Sequence, residues 1–349
     1  MSNMIDPMMR LAAKVIFGSL RSISPDAEEI NFLRRFRPSG LTLFRRNIPE
    51  SGHTLPTELC HFLRQNFSDQ DQEFMIAIDQ EGGRVRRLAE PFPDPGPAML
   101  IAQELPEADQ KQQIFNWGKK VGAELVRAGI QINFAPCVDV FCSPGHTSIG
   151  DRSYSTDPEK VTLRAGAFMH GLHKGGVLSC LKHFPGQGAA RSDTHLESCE
   201  ADIPVDTLFQ RDLIPFRKLL QFSPMVMLSH CIYPALDTKE ASLSGPVIQG
   251  LLRKKLGFQG VVVTDDMTMN AISQKNTDQG ELIVESLTQG ADLALVCKGL
   301  ENWQSAIEAV GKEAEKSPAF HASLLKSAER LRAMSRQLKP PHVQGQILV

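Results

Sequence analysis

The residues best suited to acid–base chemistry lie between positions 182 and 195, directly after an apolar run that is typical of a strand. Asp193 and His195 are two residues apart, so the carboxylate could orient the imidazole and stabilise its protonated form. Lys182 and His183 open the segment, and the glycines and alanines that follow them leave room for a ligand. By itself, this spacing is equally compatible with a polar surface loop.

A second group of candidates follows another apolar run and includes Asp79 and Arg87. A carboxylate at the end of a strand could accept hydrogen bonds from two sugar hydroxyls, and Arg87 could donate in a planar fork. The alternative is a structural turn in which Asp79 caps the next helix. Arg152 lies in a long loop, where it could bind an acyl oxygen or a carboxylate, or could simply be solvated.

Two adjacent carboxylates, Asp265 and Asp266, follow a third apolar run. Asp265 could act as a nucleophile, a general base or a metal ligand. Asp266 is better suited to capping a helix N-terminus. His230 follows a further run, where it could line a site or be a buried, hydrogen-bonded imidazole.

A metal-dependent hydrolase is the competing interpretation of these aspartates and histidines. Zinc sites of that kind usually have two closely spaced histidines and a third ligand elsewhere. Here His183, His195 and His230 occur singly, and Lys182 beside His183 would repel a cation. We therefore predict no metal.

The elements that must position these residues are short apolar runs that alternate with segments of helical periodicity. Eight strands are predicted at residues 15–20, 40–44, 74–78, 131–135, 177–181, 225–228, 260–263 and 292–296. This alternation predicts an α/β fold, a single (β/α)8 barrel of the TIM type. The candidates follow the strands directly, so they would meet at the C-terminal ends, where barrel enzymes have their active sites. A dinucleotide-binding sheet is rejected because Gly82-Gly83 lacks the phosphate-binding context.

Helices are predicted at residues 55–66, 107–128, 158–174, 208–221, 248–256 and 319–337. The 349 residues are interpreted as one barrel domain over residues 1–340, followed by an extended or disordered tail at 341–349. The net charge of −2 gives no electrostatic reason to expect a nucleic acid or an anionic membrane as partner. No run approaches the roughly 18 apolar residues of a membrane span.

The seven cysteines are scattered, without a CxxC pair. Their odd number, together with an N-terminus that does not resemble a signal peptide, predicts a reducing, cytoplasmic location. The sequence makes no prediction about the oligomeric state.

Taken together, these motifs resemble glycoside hydrolase family 3, in the branch of the NagZ-type β-N-acetylglucosaminidases. The resemblance extends from about residue 40 to residue 297 and depends on motifs in the family's order: Leu43-Phe44-Arg45-Arg46-Asn47, Asp79-Gln80-Glu81-Gly82-Gly83, Arg152-Ser153-Tyr154, Lys182-His183-Phe184-Pro185-Gly186, Asp193-Thr194-His195 and Asp265-Asp266-Met267. The histidine loop combined with the strand-borne aspartate pair is highly specific to this branch.

The resemblance implies a retaining exo-hydrolase that releases terminal β-linked N-acetylglucosamine without a metal or an organic cofactor. Asp265 would be the nucleophile, and His195, held by Asp193, would replace the usual second carboxylate as acid/base. The matching sugar-binding positions are Asp79, Arg87, Arg152, Lys182 and His183. The implied partner is a small saccharide, a muropeptide with N-acetylglucosamine β-1,4-linked to anhydro-N-acetylmuramic acid, with or without a peptide, in peptidoglycan recycling.

Two positions depart from the family pattern. Gln187 replaces the usual histidine, so a hydrogen bond remains possible there but a titrating role is lost. Thr264 replaces the usual serine and keeps the hydroxyl. Three alternatives stay open: a phosphorylase acting through the same glycosyl-enzyme, a β-glucosidase or β-xylosidase, and a saccharide-binding sensor without turnover. The Asp-x-His spacing at positions 193 and 195 argues against the second.

Overall fold

The computed structural model describes residues 6–49, 55–104, 106–142, 148–190, 199–269, 272 and 278–338. Eight parallel strands form its centre: β1 (Ile16–Phe17), β2 (Gly40–Leu43), β3 (Met75–Ile78), β4 (Ile132–Asn133), β5 (Leu178–Phe184), β6 (Met225–Leu228), β7 (Val261–Asp266) and β8 (Leu293–Leu295). Each of them overlaps a predicted strand. Almost every residue of these strands is buried, as expected of a parallel sheet that is covered on both faces.

The strands pair in the order β1, β8, β7, β6, β5, β4, β3, β2. The two outer strands of this order also approach each other, because Gly18, just after β1, forms a parallel bridge to Leu41 of β2. The backbone N–H of Thr42 donates to the carbonyl oxygen of Gly18 at 2.9 Å. The sheet therefore closes almost completely, and the predicted (β/α)8 barrel is confirmed.

Helices surround the strands: α1 (Pro7–Lys14), α2 (Ala27–Phe36), α3 (Thr57–Phe67), α4 (Ala98–Glu104), α5 (Glu107–Arg127), α6 (Pro158–Gly175), α7 (Val205–Thr207), α8 (Leu213–Leu219), α9 (Gln279–Gln289), α10 (Leu300–Lys316) and α11 (Pro318–Ser335). The helices predicted at 55–66, 107–128, 158–174 and 319–337 correspond to α3, α5, α6 and α11. The segment predicted at 208–221 is divided between the π-helix Leu208–Asp212, α8 and the 3-10 helix Leu220–Phe222. The one predicted at 248–256 is the π-helix Pro246–Lys255.

Helix α6 shows how local sequence sets these elements. The side chain of Asp157 accepts from the backbone N–H of Glu159 and caps the N-terminus, and Gly176 ends the helix with a positive φ of 97°. Glycine also lets α5 and α6 pack closely, since a Cβ atom at Gly118 would lie only 2.3 Å from the carbonyl oxygen of Phe168. Along the described parts of the chain, none of the helices is long and apolar enough to span a membrane.

One pair of cysteines departs from the expectation for a reducing compartment. Cys199 and Cys231 form a disulfide between two short strands, Cys199–Glu200 and Cys231–Ile232, which follow β5 and β6 in the chain. Cys60, Cys137 and Cys180 are free and buried, as expected of small apolar side chains. Because two of the seven cysteines form a disulfide, the cysteines no longer support a cytoplasmic location. The predicted tail at 341–349 lies outside the described residues.

Candidate active site

Six of the eight predicted site residues line one cavity of about 440 Å³ at the C-terminal ends of the strands: Asp79, Arg87, Arg152, Lys182, His183 and Asp265. Asp79 directly follows β3, Lys182 and His183 belong to β5, and Asp265 belongs to β7. Because all strands of the barrel are parallel, their C-terminal ends open to the same side. Residues far apart in sequence thereby share one cavity.

Lys182 is the centre of a buried ionic network. Its Nζ atom lies 2.8 Å from Oδ1 of Asp79 and 2.7 Å from Oε1 of Glu81, and its side chain is 2% exposed. Burial alone would lower the pKa of this ammonium, but the two carboxylates outweigh burial and raise it above its usual value. For Asp79, burial would raise the pKa, yet Lys182 and Arg87 hold it below its usual value. Both groups therefore stay charged, and their positions are fixed.

Arg152 joins the same network through Glu81. Its Nε and NH2 groups donate to the two carboxylate oxygens of Glu81 at 2.9 and 2.8 Å, and NH1 donates to the carbonyl oxygen of Ser148 at 2.9 Å. Although burial raises the pKa of a carboxyl, the Arg152 and Lys182 charges hold that of Glu81 well below its usual value. The alternative of a solvated arginine is wrong, because the side chain is buried and held on several sides.

His183 is oriented by Asp139. Nδ1 of His183 lies 2.7 Å from Oδ2 of Asp139, and this carboxylate also accepts from the backbone N–H groups of His183 and Gln187. A carboxylate can only accept, so the network assigns the proton of the neutral ring to Nδ1. Nε2 then lies 3.3 Å from NH2 of Arg152 as an acceptor.

Arg87 contacts the second carboxylate oxygen of Asp79, with NH2 at 3.2 Å from Oδ2. The turn that carries Arg87 is held by Gln80, whose Oε1 accepts from the backbone N–H groups of Arg87 and Leu88 at 2.8 and 3.0 Å. The guanidinium also lies over the ring of Phe44, 5.5 Å from its centroid. Asp79 is thus an acceptor for two cations and does not cap a helix.

The two adjacent aspartates of β7 have different surroundings. Asp265 is half-buried and lines the cavity. Asp266 accepts from the backbone N–H groups of Thr268 and Cys297, both at 3.0 Å, and burial raises its pKa. Asp266 therefore holds the turn after the strand, a structural role that is close to the capping role expected for it.

His230 is buried and hydrogen-bonded. Nε2 lies 3.2 Å from the carbonyl oxygen of Asp266, which can only accept, so this nitrogen carries the proton. Nδ1 then accepts from the hydroxyl of Ser242 at 2.8 Å. Burial lowers the pKa of His230, and the ring stays neutral. Of the two interpretations left open by the sequence, the structural one is correct.

The remaining two predicted residues, Asp193 and His195, lie outside the described residues. The chain on their N-terminal side is described as far as Ala190, and Gln187 there is buried. Oε1 of Gln187 accepts from the hydroxyl of Ser229 at 3.0 Å. The residue that departs from the family pattern therefore contacts both Asp139 and Ser229.

Sequence reasoning assigned no role to Glu81 and Asp139, which hold Arg152, Lys182 and His183. A signal was present, because both carboxylates closely follow predicted strands, as the recognised candidates do. Cys137, Asp139 and His183 also offer ligand atoms within 4.8 Å of one another. As a metal site they are poorly suited, because Arg152 lies beside His183 and burial raises the pKa of the Cys137 thiol, which disfavours the thiolate that a metal needs.

A larger cavity of about 820 Å³ lies near the opposite ends of the strands, beside Gln131, Leu178 and Val261. None of the described residues lining it is a carboxylate. Volume alone would direct attention to this cavity. The convergence of charged groups makes the smaller cavity the candidate active site.

A family model, the glycosyl hydrolase family 3 N-terminal domain, matches residues 13–333. The chain belongs to glycosyl hydrolase family 3. The β-hexosaminidase of Pseudomonas aeruginosa is 34% identical over 284 residues, which are 81% of this chain and 82% of that protein. The resemblance inferred from the motifs is confirmed.

Solved structures of this family are similar in fold as well. A family 3 β-N-acetylglucosaminidase from Paenibacillus sp. FPU-7 aligns with a TM-score of 0.87 and 29% identity, covering 99% of this chain and 66% of that chain. NagZ from Neisseria gonorrhoeae, in complex with N-trifluoroacetyl-D-glucosamine, aligns with a TM-score of 0.73 and 27% identity, covering 91% and 97%. The chain is therefore a glycoside hydrolase that acts as a β-N-acetylhexosaminidase.

Proposed function

We propose that this protein is a retaining exo-β-N-acetylglucosaminidase whose nucleophile is Asp265. The observation that carries the proposal is the sharing of one cavity by the half-buried carboxylate of Asp265 and a fixed set of donors and acceptors. Asp79, Arg87, Arg152, Lys182 and His183 supply that set. Such a cavity suits a sugar, which has many hydroxyls and no charge of its own.

In the proposed reaction, Asp265 attacks the anomeric carbon while the bond from that carbon to the leaving oxygen breaks. His195 gives its proton to the leaving oxygen, and Asp193 stabilises the imidazolium before transfer. Water then attacks the same carbon, His195 takes a proton from it, and the carboxylate of Asp265 is released. Two inversions at one carbon retain the β configuration.

The ionic network supports the binding step. Asp79 is held by Lys182 and Arg87, so its carboxylate keeps a fixed direction for sugar hydroxyls. Arg152 lines the same cavity, and its two hydrogen bonds to Glu81 hold the plane of its guanidinium in one orientation. Because these charges are paired before the sugar binds, little reorganisation is needed during the reaction.

We further propose that the natural substrates are muropeptides with a terminal N-acetylglucosamine, processed in peptidoglycan recycling. The motif resemblance supports this assignment, and the glucosamine derivative bound in the structure of NagZ from Neisseria gonorrhoeae supports the type of terminal sugar. We also propose a cytoplasmic location and a single domain over residues 1–340. The Cys199–Cys231 disulfide argues against the location, because such bonds usually form in oxidising compartments. Thiol trapping during cell lysis tests whether these two cysteines are oxidised in the cell.

The function is tested by release of 4-nitrophenol from its β-N-acetylglucosaminide. We expect turnover by the wild type, a loss of at least about 10⁴-fold with Asp265→Ala, and a strong reduction with His195→Ala. Proton NMR of the first product should show the β anomer. Binding of N-acetylglucosamine without turnover would instead indicate a sensor, and a sugar phosphate formed only with added phosphate would indicate a phosphorylase.

A further inference from the structure

Lys298 is a cation at the edge of the active-site cavity. It comes three residues after the end of β8 and lines the same cavity as Asp265. Its side chain is exposed, and its Nζ atom lies 3.5 Å from the carbonyl oxygen of Thr268. A ligand in the cavity could therefore reach it from the solvent side.

Lys298 differs from the cations deeper in the cavity in having no carboxylate partner among the described residues. Lys182, Arg152 and Arg87 each form an ion pair with a carboxylate. Across the described residues, Lys298 forms no ion pair with an acidic side chain. The deep cations are thus neutralised, whereas Lys298 retains a positive charge that a ligand could use.

A second cation lies beside it. Arg46 donates to the carbonyl oxygens of Leu20 at 2.9 Å and of Cys297 at 2.7 Å, and the latter residue immediately precedes Lys298. The guanidinium is placed 4.8 Å from the centroid of the Phe44 ring. Within the described part of the chain, Arg46 also lacks a carboxylate partner. Two cations without a carboxylate partner among the described residues, Lys298 and Arg46, therefore lie on this side of the cavity mouth.

We propose that Lys298 is a specificity-determining residue that binds a carboxylate on the leaving group. The inference rests on the proposed function, in which the deep, neutralised network holds the terminal sugar. The leaving group must then extend toward solvent, where Lys298 lies. A carboxylate there gains an ion pair that a neutral leaving group cannot form, and Arg46 strengthens the local positive potential.

The expected size of the effect follows from the exposure of Lys298. An exposed ion pair strengthens binding by no more than about fivefold, and salt screens it. Lys298 should therefore change the preference between substrates and should not decide whether hydrolysis occurs.

The test uses two aryl β-N-acetylglucosaminides, 4-nitrophenyl and a 4-nitrophenyl analogue with a carboxylate on the ring. For each enzyme we would measure the ratio of kcat/KM for the anionic substrate to kcat/KM for the neutral one. Lys298→Met should lower the ratio by up to about fivefold, and Lys298→Arg should restore most of it. Lys254→Met is the matched control, because this exposed lysine lies in the last turn of the π-helix Pro246–Lys255, which precedes β7 and is away from the mouth. It should leave the ratio unchanged.

Salt gives an independent readout. The ratio for the wild type should fall as sodium chloride is raised, and the ratio for Lys298→Met should respond less. An equal loss on both substrates in Lys298→Met would show a structural role and overturn the proposal, as would an unchanged ratio.

A phosphate-dependent rate on the neutral substrate that disappears in Lys298→Met would also overturn it, by assigning the cation to phosphate. Absence of wild-type turnover on both substrates would instead reject the proposed function itself, together with the inference that rests on it.

Discussion

At the C-terminal ends of the strands, a cavity of about 440 Å³ is lined by the carboxylates of Asp79, Asp265 and Asp266. Two of its lining cations, Arg87 and Lys182, form ion pairs with Asp79. The cavity of about 820 Å³ near the opposite ends is lined by Arg64, Arg330, His173 and several glutamines, without a carboxylate among its described lining residues. Arg64 and Arg330 do form ion pairs, with Glu73 and Asp292, but those acidic partners do not line the cavity. Among its described lining residues, the larger cavity therefore offers no carboxylate nucleophile.

The difference between the two cavities shows that the candidate active site is identified by its charged side chains and not by its volume. At the mouth, the ends of β3, β5 and β7 each contribute charged side chains, and the ion pairs between the ends of β3 and β5 keep Asp79 and Lys182 charged. At the other end, polar groups serve the fold, as when Oε1 of Gln131 accepts from the backbone N–H of Ile76 at 2.8 Å.

The mouth side carries the disulfide, so its removal should weaken the fold substantially. Cys199 and Cys231 are 32 residues apart, and closing a loop of that length contributes about 3 to 4 kcal/mol. We expect the double variant Cys199→Ser, Cys231→Ser to lose about this free energy of unfolding in urea. Dithiothreitol should have the same effect on the wild type, whereas Cys142→Ser, which removes a free thiol, should change little. Equal stability of wild type and double variant would contradict a structural disulfide.

Glu81 should be needed for activity although it is not assigned to the reaction. Glu81→Gln removes the charge that holds Arg152 and Lys182, so we expect kcat/KM for the nitrophenyl substrate to fall about a hundredfold. Glu81→Asp, which keeps the charge, should recover part of the loss. Gln221→Ala, at the larger cavity, should stay within about twofold of the wild type. If both cavities gave equal losses, the assignment of the active site to the mouth would be wrong.

His173, which lines the larger cavity, should make the free energy of unfolding depend on pH. Burial, with a smaller contribution from His170, lowers the pKa of His173 to about 4. In the unfolded chain, the pKa of a histidine is about 6.5. Between these pH values the unfolded chain binds a proton at His173 that the folded chain does not bind. The free energy of unfolding is therefore highest above pH 6.5 and falls as the pH is lowered toward 4. We expect His173→Gln to reduce the loss between these pH values by about 2 kcal/mol, measured by urea unfolding. An unchanged pH dependence would show that the histidine is protonated equally in both states.

Much of the fold was predictable because it depends on local patterns. Parallel strands buried on both faces appear as short apolar runs, and all eight were found in this way. The sequence predicted a single helix at 208–221 but not its division into π, α and 3-10 segments. That division depends on how the segment packs against its neighbours. The disulfide could not be predicted either, since the distance between two cysteines follows only from the folded chain.

For the site, the sequence by itself determined which residues could carry the chemistry, because carboxylates, cations and histidines follow the strands and the ends of parallel strands meet. The roles of Asp193 and His195 stay predictions. Only the tertiary structure decided which side chains pair: Glu81 with Arg152 and Lys182, and Asp139 with His183. Pairing depends on distances of a few ångströms between residues up to about a hundred positions apart, and such distances are set by the closure of the barrel.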